Sequence, residues 1–422
     1  MPELIRAPRG TKDILPPESF LWKEIERCVD DVATLFGYEE IRTPIFEQSS
    51  LFQRSVGEES DIVSKEMYLF SDKGGEQMAL RPELTAAVVR AALEHNLVTK
   101  QASCSRLYYN SAPMFRYERP QMGRQRQFHQ FGVEVLGAAS PLADMQVIAF
   151  ALAVYQKLGF ANFNLKLNTL GSQDSRELWK QELVKYLEAN LSDLSDDSQR
   201  RLATNPLRIL DSKNPGDMNI VERAPQITSY LSGEDAKHFA ELQSLLTSAE
   251  ISFTISPYLV RGLDYYSRTV FELTSTDLGS QDALCGGGRY DSLIEKLGGP
   301  PTPAVGFASG VERLVIVLSK LRNGEIKRPT PDVYIVIAEK AGREVGVSVA
   351  SELKKSKISV IYDLLDRSMK AQMREADKLG TRFVLILGSE ELAAREITLK
   401  DMSTGTQERV LLEKISDRLK NS

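Results

Sequence analysis

Met114-Phe115-Arg116-Tyr117-Glu118 and Phe128-His129-Gln130-Phe131-Gly132-Val133-Glu134-Val135, joined by the polar loop Arg119-Pro120-Gln121-Met122-Gly123-Arg124-Gln125-Arg126, decide the fold of this chain. Two strand-like runs around a turn containing Pro and Gly read as the ends of a long β-hairpin over 106–136. Successive side chains of a strand point to opposite faces. On the returning arm His129, Phe131, Val133 and Val135 therefore share a mostly apolar face, which we assign to the core. Phe128, Gln130, Gly132 and Glu134 share the other, which carries an aromatic ring, an amide, a gap and a carboxylate. On the first arm Met114, Arg116 and Glu118 lie on one face, with Phe115 and Tyr117 opposite. The gap at Gly132 leaves space for a ligand, Phe128 offers a ring on which a planar base can stack, and Arg116 suits a phosphate. The competing reading is the solvated outer face of a half-exposed antiparallel sheet.

Further along, Leu259-Val260-Arg261-Gly262-Leu263-Asp264-Tyr265-Tyr266 runs into a strand-like Thr269-Val270-Phe271, and Cys285-Gly286-Gly287-Gly288-Arg289-Tyr290-Asp291 follows. A core strand has no need of Arg261 or Asp264, whereas a pocket for a small polar molecule with a phosphate could use both. Around these segments the periodicity predicts helices over 17–36 (stopped by Gly37), 84–95, 141–158, 289–297 and 311–322, and strands over 38–46, 163–169, 251–256 and 265–274. Residues 171–250 are polar, helix-rich and weakly patterned, as in an inserted helical module. Residues 323–331 form a linker. Beyond it, strand 333–338, helix 342–355, strand 358–362, helix 367–379 and strand 382–387 predict a separate α/β domain with a parallel sheet.

The chain has 422 residues, 42% hydrophobic and 26% charged, enough for two or three domains. No apolar run approaches the roughly 20 residues that span a bilayer, and Met1-Pro2-Glu3-Leu4-Ile5-Arg6 lacks the apolar core of a secretion signal, so a cytoplasmic location is expected, with no membrane partner. Cys28, Cys104 and Cys285 are scattered and odd in number, which fits a reducing compartment. From residue 331 onward 16 Lys+Arg face 15 Asp+Glu, leaving 37 against 43 in the rest, so any RNA contact must use local patches. The three histidines, His95, His129 and His238, form no metal-binding pair, and we read them as structural or surface residues. Cys285, with no histidine beside it, reads as pocket wall rather than nucleophile.

These residues resemble the histidyl-tRNA synthetases, a family of class II aminoacyl-tRNA synthetases, over essentially the whole length. Arg9-Gly10-Thr11-Lys12-Asp13 resembles the family's amino-terminal signature, and Thr43-Pro44-Ile45-Phe46-Glu47 its motif 1, which builds a dimer interface. Phe115 to Glu118 with Phe128 to Gln130 resembles motif 2, and Gly306-Phe307-Ala308-Ser309-Gly310-Val311-Glu312-Arg313 motif 3. The segments 259–272 and 285–291 resemble the two histidine-specific motifs. The resemblance implies an α+β catalytic domain built on an antiparallel sheet (residues 1–325, carrying the helical insertion 171–250), followed by an α/β anticodon-binding domain (331–422). It implies a histidine–tRNA ligase that activates L-histidine with ATP to histidyl-adenylate and pyrophosphate, then transfers histidine to the 3′ end of tRNA(His). Mg²⁺ is expected to come with ATP, with no resident metal, and a homodimer is expected from motif 1.

Residue by residue, the resemblance places Arg116 on the α-phosphate, Glu118 beside the adenine, Phe128 stacked on it and Arg313 on the distal phosphates. Arg261 would lie on the other side of the α-phosphate, where a fixed cation stabilises developing charge. Glu83, Thr85 and Gln130 would hold the α-amino group, Glu134 and Tyr266 the two imidazole nitrogens, and Tyr265 with Gly286 to Gly288 would close the pocket. Neutral imidazole has one donor and one acceptor nitrogen, which a carboxylate and a phenol can satisfy. Arg124 and Arg126 are implied contacts to tRNA phosphate, and the helix starting near Ser368 could face RNA. Leu84 departs from the pattern of many relatives, and its side chain is expected to face away. A non-catalytic relative, the regulatory subunit of ATP phosphoribosyltransferase, is expected to lack the second domain and part of this residue set. A generic RNA-binding module accounts for neither hairpin face.

Overall fold

The computed structural model describes residues 4–57, 60–98, 104–121, 123–275 and 283–421. Met1, Pro2 and Glu3 of the amino-terminal reading, and Met122 of the hairpin loop, lie outside the described residues. The chain divides into two compact units, Met1–Ile326 and Lys327–Ser422.

The first unit is organised by an eight-stranded sheet in the order Glu39–Glu40, Ser105–Phe115, Gln127–Leu136, Ala304–Gly310, Ala283–Arg289, Ser267–Thr274, Asn164–Thr169, Thr254–Ile255. Its six inner strands run antiparallel, and only the two-residue outer strands pair in parallel. The predicted hairpin supplies its second and third strands, beside the central pair Ala304–Gly310 and Ala283–Arg289. Phe131, Val133 and Val135 face a core shared with Phe271 and Phe307 and covered by the helices Glu18–Phe36, Pro141–Lys157 and Val311–Leu321. The opposite face meets the helix Thr85–Glu94 and a second cluster containing Tyr109, Met114, Tyr265, Tyr266 and Tyr290. Alternation thus sorts the returning arm as expected. The gap at Gly132 is different. A Cβ there would collide with the Tyr109 hydroxyl and the Phe307 carbonyl, so Gly132 makes room for a tyrosine of the partner strand rather than for a ligand.

The strand expected over 38–46 is broken. Glu39–Glu40 joins the large sheet, while Phe46–Gln48 joins a separate sheet with Gln77–Leu80 and Tyr68–Ser71. Between them the Arg81 guanidinium holds the carbonyls of Thr43 and Pro44 at 2.8 and 3.1 Å, which replaces ladder pairing. The helix expected over 289–297 is also shorter. Arg289 ends a strand, and only Leu293–Lys296 is helical. Arg289 is fully buried and uses its donors on Asp144 (2.6–3.0 Å), Asp291 (3.2 Å) and the carbonyls of Ala138 (3.0 Å) and Ser140 (2.9 Å). It ties the end of its strand to the first turn of helix Pro141–Lys157.

Residues 171–250 are helical as expected, with helices Gln173–Ala189, Asp196–Thr204, Pro215–Val221 and Gly233–Ser248. Two buried aspartates gather their ends. Burial alone would raise Asp217, but the Ser195 amide and the hydroxyls of Ser195, Ser198 and Ser212 outweigh it and bring it down to about 2. Asp235 is held near 2 in the same way, by Ser172 and Ser175. The last helix is no satellite, because Phe239, Leu242 and Leu246 pack in the main core against helix Pro141–Lys157.

In the second unit Val360–Tyr362, Val333–Ile337 and Phe383–Leu387 pair in parallel, as the βαβαβ pattern predicts. The sheet is mixed rather than parallel, since a hairpin of Glu396–Asp401 and Gln407–Leu411 extends it antiparallel. Among the described residues no helix is long and apolar enough to cross a membrane.

Removing one member of a buried ion pair leaves a charge stranded in low dielectric. Asp144→Ala is expected to cost roughly 3–5 kcal/mol, measured as a lowered urea midpoint for the unfolding of the first unit. A midpoint matching the wild type would show that Asp291 and the two carbonyls suffice to hold Arg289.

Candidate active site

A cavity of about 450 Å³ opens above the hairpin's polar face. Arg116, Glu118, Arg124, Phe128 and Gln130 line it from the hairpin, Glu83 and Thr85 from the start of a helix, Arg261, Tyr265 and Tyr266 from the 259–266 segment, and Arg313 from the helix after Gly310. Of the sequence-derived candidates, Glu134 and Arg126 are not among the lining residues. Arg126 lies over the Tyr117 ring at 3.8 Å. Gly286 lines the cavity, while Gly287 and Gly288 do not. Leu84 is buried and contributes to the wall, so it does not simply face away.

Three arginines point at this space from three elements. Arg116 donates from Nε to the Pro82 carbonyl at 2.9 Å and lies 5.3 Å from the centroid of Phe128. Arg313 donates to the Ala283 carbonyl at 2.6 Å. Arg261 is tethered to Glu272 at 3.0 Å, and among the described residues its Nε has no hydrogen-bond partner. The guanidinium lies directly over Gly286, where a Cβ would overlap it. Glu118 sits between Arg116 (3.9 Å) and Arg124 (3.4 Å). The carboxylate of Glu312 accepts from the His129 amide at 3.0 Å and meets its ring Nδ1 at 2.9 Å, which joins the start of Arg313's helix to the strand between Phe128 and Gln130.

Behind the lining lies the carboxyl of Glu134. The Thr85 hydroxyl donates to it at 2.7 Å and the Tyr290 hydroxyl donates to its second oxygen. Gly306 is the thin wall between this group and the cavity, since any side chain at 306 would overlap Glu134 Oε2. Burial pushes Glu134 up to about 8, against the pull of Tyr290 and Thr85. Glu83 is also raised by burial, offset in part by the amides of Ala86 and Thr85, which donate to it at 2.9 and 2.8 Å and make it the cap of helix Thr85–Glu94. Tyr265 stacks at an angle on Tyr266 (4.8 Å) and meets Tyr290 edge-on (5.7 Å). Cys285 is pushed to about 12 by burial, so its thiol is a poor nucleophile.

Tyr290, Tyr109 and Arg208 complete the site without having been identified from sequence. Tyr290 lies inside the quoted glycine segment, but its partner, Glu134, is 156 positions away. Arg208 sits in the weakly patterned insertion and had no signal. Chemically, the arrangement offers three cations for phosphate, a ring for a base, and a buried carboxyl–hydroxyl cluster for a polar heterocycle.

A raised carboxyl favours the folded state most while protonated. That contribution is complete below the unfolded value near 4.5 and is lost as pH rises through about 8. The melting-temperature advantage of wild type over Glu134→Gln is therefore expected to shrink steadily between pH 5 and 9. A gap independent of pH would place Glu134 in contact with solvent.

The comparisons with known proteins agree with one another. The family model described as histidyl-tRNA synthetase matches residues 10–314, and one described as an anticodon-binding domain matches 332–422. The chain is 49% identical over 404 residues to a histidine–tRNA ligase of Picosynechococcus sp., covering 96% of this chain and 94% of the relative. It is 45% identical over 415 residues to that of Bacillus velezensis, covering 98% of each. The crystal structure of apo S. aureus histidyl-tRNA synthetase superposes with a TM-score of 0.83 at 37% identity, covering 99% of this chain and 100% of that one.

Proposed function

Since the chain belongs to the histidyl-tRNA synthetase family, we propose that the cavity above the hairpin is where histidine meets ATP and that its residues divide the work as follows. The activity itself is histidine–tRNA ligation, in which L-histidine is activated with ATP to histidyl-adenylate and pyrophosphate and then transferred to tRNA(His). The observation that carries the assignment is the convergence of Arg116, Arg261 and Arg313 on a cavity backed by Glu134.

Arg116 and Arg261 grip the α-phosphate from two sides, and Arg313 takes the distal phosphates. Phe128, already beneath the Arg116 guanidinium, stacks on the adenine beside Glu118. Histidine's carboxylate attacks the α-phosphorus, the bond to the bridging oxygen breaks, and pyrophosphate leaves. Negative charge grows on the α-phosphate oxygens in this step, and a preorganised cation there lowers the barrier. Arg261 suits that task because Glu272 and Gly286 fix its plane before substrate arrives. The α-ammonium group is held by Glu83, Gln130 and Thr85. Glu83 keeps lone pairs beyond those used in capping, and Thr85 contributes through the oxygen whose proton goes to Glu134. Glu134 is set behind Gly306, and each of its oxygens keeps a lone pair beyond the one taken by Thr85 or Tyr290; one imidazole nitrogen is proposed to reach it across that thin wall, while the Tyr266 hydroxyl serves the other. Tyr265 and Gly286 wall the pocket.

We assign Mg²⁺ to ATP's phosphates, as a hard cation with oxygen ligands. Arg124, half exposed at the cavity, and Arg126 are our candidates for tRNA phosphate. The units 1–325 and 331–422 are proposed as catalytic and anticodon-binding domains, and the cytoplasm as the location. A homodimer is supported by the apolar side chains left exposed on and beside the three-stranded sheet, Ile45, Phe46, Leu69 and Phe70, at 40–54%.

Purified protein is expected to catalyse ATP–pyrophosphate exchange with histidine and with no other amino acid. Arg261→Ala should slow it roughly 10²–10³-fold while histidine binding weakens far less. Equal losses in single-turnover rate and binding would remove the transition-state role, and exchange driven by a different amino acid would remove the assignment. Light scattering should give twice the chain mass, and a monomer would leave the exposed sheet unexplained.

A further inference from the structure

The segment that carries Arg261, Tyr265 and Tyr266 enters the sheet only at Ser267. Before that point much of its conformation comes from the helical insertion. Arg176, on helix Gln173–Ala189, donates from Nη1 to the Tyr266 carbonyl at 2.7 Å and to the Asp264 carbonyl at 3.4 Å. Asn205 donates to the Asp264 side chain at 3.3 Å. Arg208 stands against Gly262, where a Cβ would lie 3.0 Å from its Nη1, and reaches Asp61 at 3.5 Å on the far side. Upstream, the Tyr258 hydroxyl donates to the Glu222 carbonyl at 2.9 Å.

We propose that the helical insertion sets the affinity for the amino acid, and that Arg176 is a positioning residue that aims Tyr266 at the imidazole by holding the main chain on either side of Tyr265. The proposal rests on the assignment of histidine to this cavity. Arg176 is not among the cavity's lining residues and touches no substrate. It acts through two carbonyls two residues apart, which restricts the dihedrals between them and with them the direction of two adjacent aromatic side chains. Of the residues assigned to ATP, Arg116, Phe128 and Arg313 belong to the hairpin and to helix Val311–Leu321, and Arg261, although in the 259–266 segment, is tied to Glu272 on the sheet, so the insertion bears chiefly on histidine.

The experiment compares KM for histidine and for ATP in the exchange reaction of the full-length protein, for wild type, Arg176→Met and Arg176→Lys. Loss of a charge-assisted bond to a carbonyl is expected to raise KM for histidine on the order of tenfold, with KM for ATP within about twofold, and Lys should recover part of the loss. Melting curves establish that each variant is folded. If the Met variant does not fold, the Lys variant decides by the same split. A histidine KM equal to wild type, or both KM values rising together, overturns the proposal. A wild type inactive with histidine instead overturns the reading of the site on which it rests.

Discussion

A carboxyl group buried behind the central strands is the constraint around which this site is arranged. Glu134 is 1% exposed, and taking such a group out of water is unfavourable unless its oxygens find partners. The surrounding chain meets that demand from three directions. Thr85 and Tyr290 donate hydroxyls, and Gly306 removes the atoms that would otherwise occupy the carboxyl's place. Thr85 is in turn held by the capping of its helix by Glu83. One acid therefore dictates the residue type at several positions far apart in sequence, of which Thr85 and Gly306 border the cavity. The demand also explains why the group titrates near neutrality, the range in which an imidazole exchanges protons.

Two arginines show how the same residue type serves opposite ends. Arg289 is wholly enclosed and spends its donors on two aspartates and two carbonyls, so it is a structural tie. Arg261 is anchored at one nitrogen by Glu272, has no partner for its Nε among the described residues and faces the cavity. Both follow or precede glycines in polar stretches, and nothing in the local sequence separates them. The difference lies in what the sheet places opposite each.

Much of this architecture is legible in the amino-acid sequence. Strict alternation identified both faces of the returning hairpin arm, because a residue's side of a strand depends only on parity. The first arm escaped that logic. Its register slips between Tyr109 and Ala112, with Ser111 at a φ of +45°, and the slip accompanies the delivery of Tyr109 to the space above Gly132. The stretch around Pro44 read as one strand because its composition is strand-like, and the long-range reach of Arg81 that breaks it has no local signature. In the closing hairpin of the second unit Glu396–Asp401 alternates but Gln407–Leu411, after Gly405, does not, and both lay beyond the βαβ pattern. Motif resemblance supplied the identity of the ligand, which periodicity could not. It said nothing of Tyr290 as the partner of Glu134, or of the insertion as scaffold for the 259–266 segment.

The final helix of the insertion carries a lesson for anyone reshaping this protein. Because Phe239, Leu242 and Leu246 belong to the main core, the segment between the strands ending at Thr169 and starting at Thr254 is not a cassette with clean edges. Excision at residues 171 and 250 would strip a wall from the central layer. A graft or a minimal version of the domain must instead cut ahead of Gly233 and keep that last helix in place, since it answers to the sheet rather than to the helices it follows.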